Sequence, residues 1–128
     1  MAVVLHEIKD SDFEYVLKAT TTGTNSAASL LDVSAAEGAA TDPRVSIVGV
    51  AWSLAAQTDI LWDATTNVVA LSLNGSGKMG FADGMPAIPN NAGSGVTGDV
   101  LVTNGTSVGT IIIKFSKVSG WDDITGTL

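Results

Sequence analysis

The chain contains no cysteine, which excludes a disulfide scaffold and thiolate metal sites. Aromatic residues are scarce, seven in 128 residues, so no large aromatic core can form. Basic residues are few: six Lys and Arg stand against thirteen Asp and Glu, for a formal net charge of −7. Nucleic acid and anionic membrane both demand basic patches, so neither is an expected partner. No apolar run approaches the roughly 20 residues that a membrane helix needs. The first ten residues, MAVVLHEIKD, lack a basic flank, and their short apolar run from Ala2 to Leu5 is too brief for a secretion signal. Charged residues make up only 15% of the chain against 45% hydrophobic, which excludes a solvated disordered tail.

What is abundant is small. Gly, Thr and Ser together make 40 of the 128 residues, and Ala and Val dominate the apolar set. Small β-branched side chains suit a thin layer between sheets better than a helix bundle. The length is that of one domain, expected over residues 1–128, with one core. A core this thin is often supplemented by an oligomeric interface.

Turn residues recur at short intervals, the punctuation of an all-β fold. Val3 to Lys9 reads as a first strand or an N-terminal arm over residues 1–10. Residues 12–20 alternate, with Phe13, Tyr15, Leu17 and Ala19 on one face, and Thr20 to Asn25 form a turn. Ser29–Ser34 reads as a strand with Leu31 and Val33 inward and Asp32 outward. Asp42-Pro43 marks a turn. Arg44 to Leu54 carries apolar residues at both parities and is expected to be covered on both sides. Thr58–Asp63 follows, then Val69–Leu73, a turn at Asn74-Gly75 and a return over Lys78–Ala82. Residues 83–98 have no period and form a loop more apolar than solvation requires. Gly98–Thr103 and Thr110–Val118 close the series. In the last, Ile111, Ile113 and Phe115 face inward, and Lys117 breaks the alternation as a bulge or the edge of burial. Residues 119–128 form a C-terminal tail. The count is eight to nine strands, which fits a two-sheet antiparallel β-sandwich of jelly-roll or related Greek-key type.

Chemical motifs are weak. Gly75-Ser-Gly-Lys-Met-Gly80 matches GxGxxG, but strand-like residues follow it where a dinucleotide site needs a helix N-terminus, so a hairpin turn is the reading. The single histidine, His6, lies in a strand, and no Gly-x-Ser-x-Gly elbow accompanies it. The carboxylates Asp10 and Asp12, Asp59 and Asp63, and Asp122 and Asp123 do not make the patterned acidic loop that calcium needs. A sugar-cleaving carboxylate pair would have few aromatic rings for a platform. No enzyme, cofactor or metal is therefore expected. Trp52 and Trp62 read as core and Trp121 as a subunit contact.

Several strings together carry a resemblance. In order they are Leu30-Leu-Asp-Val-Ser34, Arg44-Val-Ser-Ile-Val48, Ile60-Leu-Trp-Asp-Ala-Thr65, Asn67-Val-Val-Ala-Leu71, Leu73-Asn-Gly-Ser-Gly77, Pro89-Asn-Asn-Ala-Gly-Ser-Gly95, Thr97-Gly-Asp-Val100 and Lys117-Val-Ser-Gly120. Over residues 25–121 the chain resembles small virion structural proteins of marine tailed bacteriophages, including those of cyanobacteria. The resemblance implies a β-sandwich made in the host cytoplasm and placed on the virion head exterior. It implies the role of a capsid decoration (cement) protein that clamps adjoining subunits of the major capsid protein, expected as a homotrimer. It offers no catalytic residues. Met85, Pro86, Ile88, Pro89 and Trp121 are the expected contacts, because apolar groups on loops and tails favour burial against a partner. The alternative is a phage tail, fibre or surface module that binds host carbohydrate. A small hydrolase ranks far below both.

Overall fold

The computed structural model describes residues 2–80, 85–105 and 108–122. The chain is all-β and antiparallel. Among the described residues, seven strands form one sheet: β1 (Ala2–Asp10), β2 (Glu14–Thr22), β3 (Asn25–Leu31), β4 (Ala39–Trp62), β5 (Val68–Met79), β6 (Val100–Asn104) and β7 (Gly109–Trp121). A single 3₁₀ turn, Val33–Ala35, follows β3, and the Asp32 side chain caps it by accepting from the Ser34 N–H.

The strand order is β1-β2-β7-β4-β6-β3, with β5 also paired to β4. β4 organises the whole. Residues 44–54 pair with β7, residues 58–62 pair with β6, and β5 runs along the opposite edge of both stretches. Between Leu54 and Thr58 the register to β5 slips, because β4 spends more residues there than its partner. A bulge of this kind bends a strand and increases its twist. The sheet accordingly curls into a half-barrel, with one wing built on β1, β2 and β7 and the other on β3 and β6.

The core fills the inside of the curl. β7 contributes Ile111, Ile113 and Phe115, and β2 contributes Leu17 and Ala19. Val45, Ile47, Val50, Ile60 and Trp62 come from β4, Val100 and Val102 from β6, and Leu30 from β3. Each side chain of this size adds about 1.5–3 kcal/mol when fully buried.

Seven strands stand in one sheet where eight or nine in two sheets were expected, and the difference has a local cause at each site. Residues 44–54 and 58–62 are one strand, because the polypeptide bends at residues 55–57 without leaving the sheet, and Asp63 lies just past its end. Asn74-Gly75 does not reverse the chain. Gly75 takes a φ of +67° yet remains paired with Leu54, and β5 continues to Met79. Asp42-Pro43 lies within β4 too, at a register slip between Ala39 and Arg44, with Asp42 at a φ of +49°. A proline is tolerated in a sheet at such a bulge.

Smaller expectations divide. Leu31 and Val33 are buried and Asp32 exposed, as their parity suggests, although the strand ends at Leu31. β2 extends to Thr22, so the turn after it is confined to Gly23 and Thr24. Trp62 is core, whereas Trp52 is half-exposed. Residues 2–10 are a strand of the sheet, and β7 runs through Trp121. The return strand expected to end at Ala82 reaches only Met79. Phe81 and Ala82, and the tail from Asp123 onward, lie outside the described residues.

Candidate interaction surfaces

The expected contact residues lie in two settings. The loop that carries four of them runs beside β4 beyond the end of β5. There Ile88 forms an isolated bridge to Ile47, its N–H donating to the Ile47 carbonyl at 2.8 Å and its carbonyl accepting from the Ile47 N–H at 3.0 Å. Met85 and Ile88 are half-buried against the chain's own core, while Pro86 and Pro89 are exposed. Pro89 lines a groove of about 340 Å³ with Arg44, Val45, Ser46, Ala92 and Val118. Arg44 closes one side of it. Its guanidinium donates to the carbonyls of Pro43 at 2.9 Å, Val96 at 3.2 Å and Thr97 at 3.3 Å, so the cation staples the loop to β4.

Trp121 is half-buried and locally satisfied. Its Nε1–H donates to the Arg44 carbonyl at 2.8 Å, and the Lys117 ammonium sits 4.6 Å from its ring centroid. Lys117 stands where the bulge or edge of burial was expected: the pairing with β4 slips there, with Val45 opposite Lys117 and Arg44 opposite Ser119, and Val118 and Ser119 beyond it are exposed. Lys117 itself continues the inward parity of Ile111, Ile113 and Phe115 and is buried. Burial of a cation requires a partner. Lys117 Nζ donates to Asp10 Oδ1 and, at 2.7 Å, to the Glu37 carbonyl, while Asp10 Oδ2 accepts from the Glu37 N–H at 2.8 Å. This node ties the end of β1, the approach to β4 and β7 into one unit. Sequence parity alone could have placed Lys117 inward, but its acid partner is 107 positions away.

The surface that sequence reasoning missed is the free side of β1. This strand pairs only with β2. Val4 is 62% exposed, and Leu5 and Ile8 are exposed as well; Phe13, in the turn between β1 and β2, is 56% exposed. The readable signal was the adjacent pair Val4-Leu5, apolar at both parities, in a strand with no second neighbour. On the inward side Tyr15 is half-buried. Burial, with the Glu7 carboxylate beside it, pushes its hydroxyl up to about 12.

The remaining titratable groups do not converge. His6 is exposed, opposite Lys18 on β2. Among the described residues no group of three His, Asp or Glu could hold a metal ion. Asp99 accepts from the Val33 N–H at 3.0 Å. Burial raises its carboxyl above the usual range, a shift that the Val33 hydrogen bond opposes and that Asp32 and Asp63 reinforce. Thr97 Oγ1 donates to Asp63 at 2.8 Å, so this end of the molecule is a hydrogen-bonded loop junction. Glu14 lies below its usual value because Lys9, at 2.8 Å, and Lys114, at 2.9 Å, both bond its carboxylate.

The chain matches no protein-family model, no curated protein and no solved structure.

Proposed function

We propose that this chain is a structural protein of a tailed-phage virion, a decoration protein that binds the outside of the head and grips adjoining subunits of the major capsid protein, as a homotrimer. The observation that carries the reading is the uncovered apolar edge. A domain that packs its core to near-zero exposure leaves Val4, Leu5 and Ile8 on the outside, along a strand with unpaired backbone groups, and Phe13 exposed in the turn that follows it. An edge of that kind favours coverage by another polypeptide. The mechanism is passive. Many modest contacts, repeated over a shell and joined through a trimer, add up by effective concentration to resist expansion. The jelly-roll sandwich belongs to the same proposal. Two wings around one core are its layered plan, carried here by fewer strands, and a neighbour's strand along β1 would extend one layer.

The deciding measurement is copy number in purified virions, from quantitative mass spectrometry against the major capsid protein. Hundreds of copies are expected. Tens of copies or fewer, or heads that lack the chain, would sink the proposal.

A second reading is favoured by one observation. Half-exposed Trp52 lines a shallow groove of about 400 Å³, its indole flat against Gly77, where a carbohydrate-binding module presents a ring to sugar. A glycan array on which wild-type protein binds and Trp52→Ala does not would move the assignment to host-surface recognition.

A further inference from the structure

The outer, solvent-facing side of the β1-β2-β7-β4-β5 wing collects most of the chain's positive charge. Register places His6, Lys18, Ile112, Ala51 and Lys78 in one row across five strands. The next row holds Val4, Thr20, Thr110, Ser53 and Ser76, and the row on the other side holds Lys9, Val16, Lys114 and Gly49. Four of the six basic residues of the protein and its only histidine therefore share one face. The acid that register places among them is Glu14, held between Lys9 and Lys114. Lys18, Lys78 and His6 are exposed and have no carboxylate partner among the described residues. Asp59 lies beyond the bend of β4, paired to β6 and the start of β5.

A chain of net charge −7 that gathers four of its six basic residues on one outer face is electrostatically two-sided. We infer that this face is the docking surface for a carboxylate-rich protein surface. Charge complementarity sets the sign of the partner. The face also selects protein over other polyanions. Its lysines are interleaved with apolar and small side chains, Val16, Ile112 and Ala51 beside Thr20 and Thr110, and it includes the shallow groove between Ile112 and Lys78. Apolar area between the charges suits a protein interface better than a simple polyanion. No arginine stands in these rows to fork a phosphate, and the one indole that lines the groove, Trp52, lies against Gly77 with its Nε1–H donated to the Asn74 carbonyl at 2.9 Å. The inference deepens the proposed role by naming the face that meets the shell, but it is measured without a particle and so fails or survives separately.

The test uses the whole chain and fluorescently labelled poly-L-glutamate, followed by fluorescence anisotropy at low salt and at about 0.3 M NaCl. Binding is expected at low salt, with at least about tenfold loss at the higher salt, since exposed charges are screened within roughly a Debye length. The variant Lys18→Gln/Lys78→Gln is expected to weaken binding at least about tenfold. Thr66→Glu/Ser94→Glu, at exposed turns outside the face, lowers the net charge equally and should change binding less than about twofold. Both variants change exposed side chains, and circular dichroism checks their fold. Three results would each overturn the inference: no binding of wild type at low salt, equal weakening by the two variants, or duplex DNA or anionic vesicles binding as tightly as the polypeptide.

Discussion

β7 and β1 carry similar sequences to opposite ends. Both are apolar strands with β-branched residues, yet Ile111, Ile113 and Phe115 are wholly buried while Val4, Leu5 and Ile8 stand exposed. β7 lies between β2 and β4, whereas β1 has one neighbour. Residue content decides what a strand could bury, and its place in the sheet decides what it does bury. The inner strand makes the fold and the outer one is left for association.

That contrast can be broken by mutation. Phe115→Ala should cost about 3–5 kcal/mol in urea unfolding, from lost transfer energy plus the cavity. Val4→Ala on β1 should stay within about 0.5 kcal/mol. Equal costs would abolish the distinction. Lys117→Ala, which strands the Asp10 carboxylate in the interior, should cost about 3 kcal/mol or more at neutral pH. Lys117→Met combined with Asp10→Asn should recover part of that loss, because no lone charge remains. If the double variant is as unstable as the single one, the pair is not the seam that joins β1 to β7.

Gly120→Ala should cost more than about 1 kcal/mol, since its φ of +81° disfavours any side chain and the Thr41 and Asp42 carbonyls occupy the space. Gly93→Ala, which faces open space, is the neutral reference. The smallest effects are electrostatic. Glu14 is lowered by its lysines, so its contribution is present above the ordinary value of 4.5 and is lost as pH falls through the folded value. Glu14→Gln should therefore cost under about 1 kcal/mol at neutral pH and nothing in strong acid, where both forms are neutral. Asp99 runs the other way. Its raised value penalises folding when it is ionised, and the penalty fades as pH falls toward the ordinary 3.8. Asp99→Asn keeps an acceptor for Val33 and should flatten that part of the stability profile in pH-dependent urea melts.

The sequence made the all-β class legible, because alternation names Ile111, Ile113 and Phe115 in one strand and Leu17 and Ala19 in another as inward, although Phe13, expected on the same face, stands 56% exposed in the turn before β2. It also named Trp62, Leu31 and Val33 as inward. It could not show that strands continue through turn signals. Asn74-Gly75 and Asp42-Pro43 bend or bulge a strand when a neighbour keeps hydrogen-bonding it on either side of the signal, β4 for the first and β7 for the second, and that neighbour lies elsewhere in the sequence. The contact residues were legible only in part. Met85 and Ile88 are apolar because they pack against the chain's own core, and Trp121 because it covers Lys117 and caps a carbonyl. The cationic face was hidden by the net charge, since an average over the chain erases its segregation. Only the register across five strands assembles Lys9, Lys18, Lys78 and Lys114.

The placement of β7 between β2 and β4 has a consequence for how the polypeptide is made. The strand that joins the β1-β2 hairpin to β4 leaves the ribosome after the other six described strands. Until Ile111, Ile113 and Phe115 arrive, the β1-β2 hairpin has no sheet to join, and one edge of β4 is open along most of its length. Pairings of such high contact order close slowly. The nascent chain thus waits with its middle exposed, and the final insertion is the step at which folding commits.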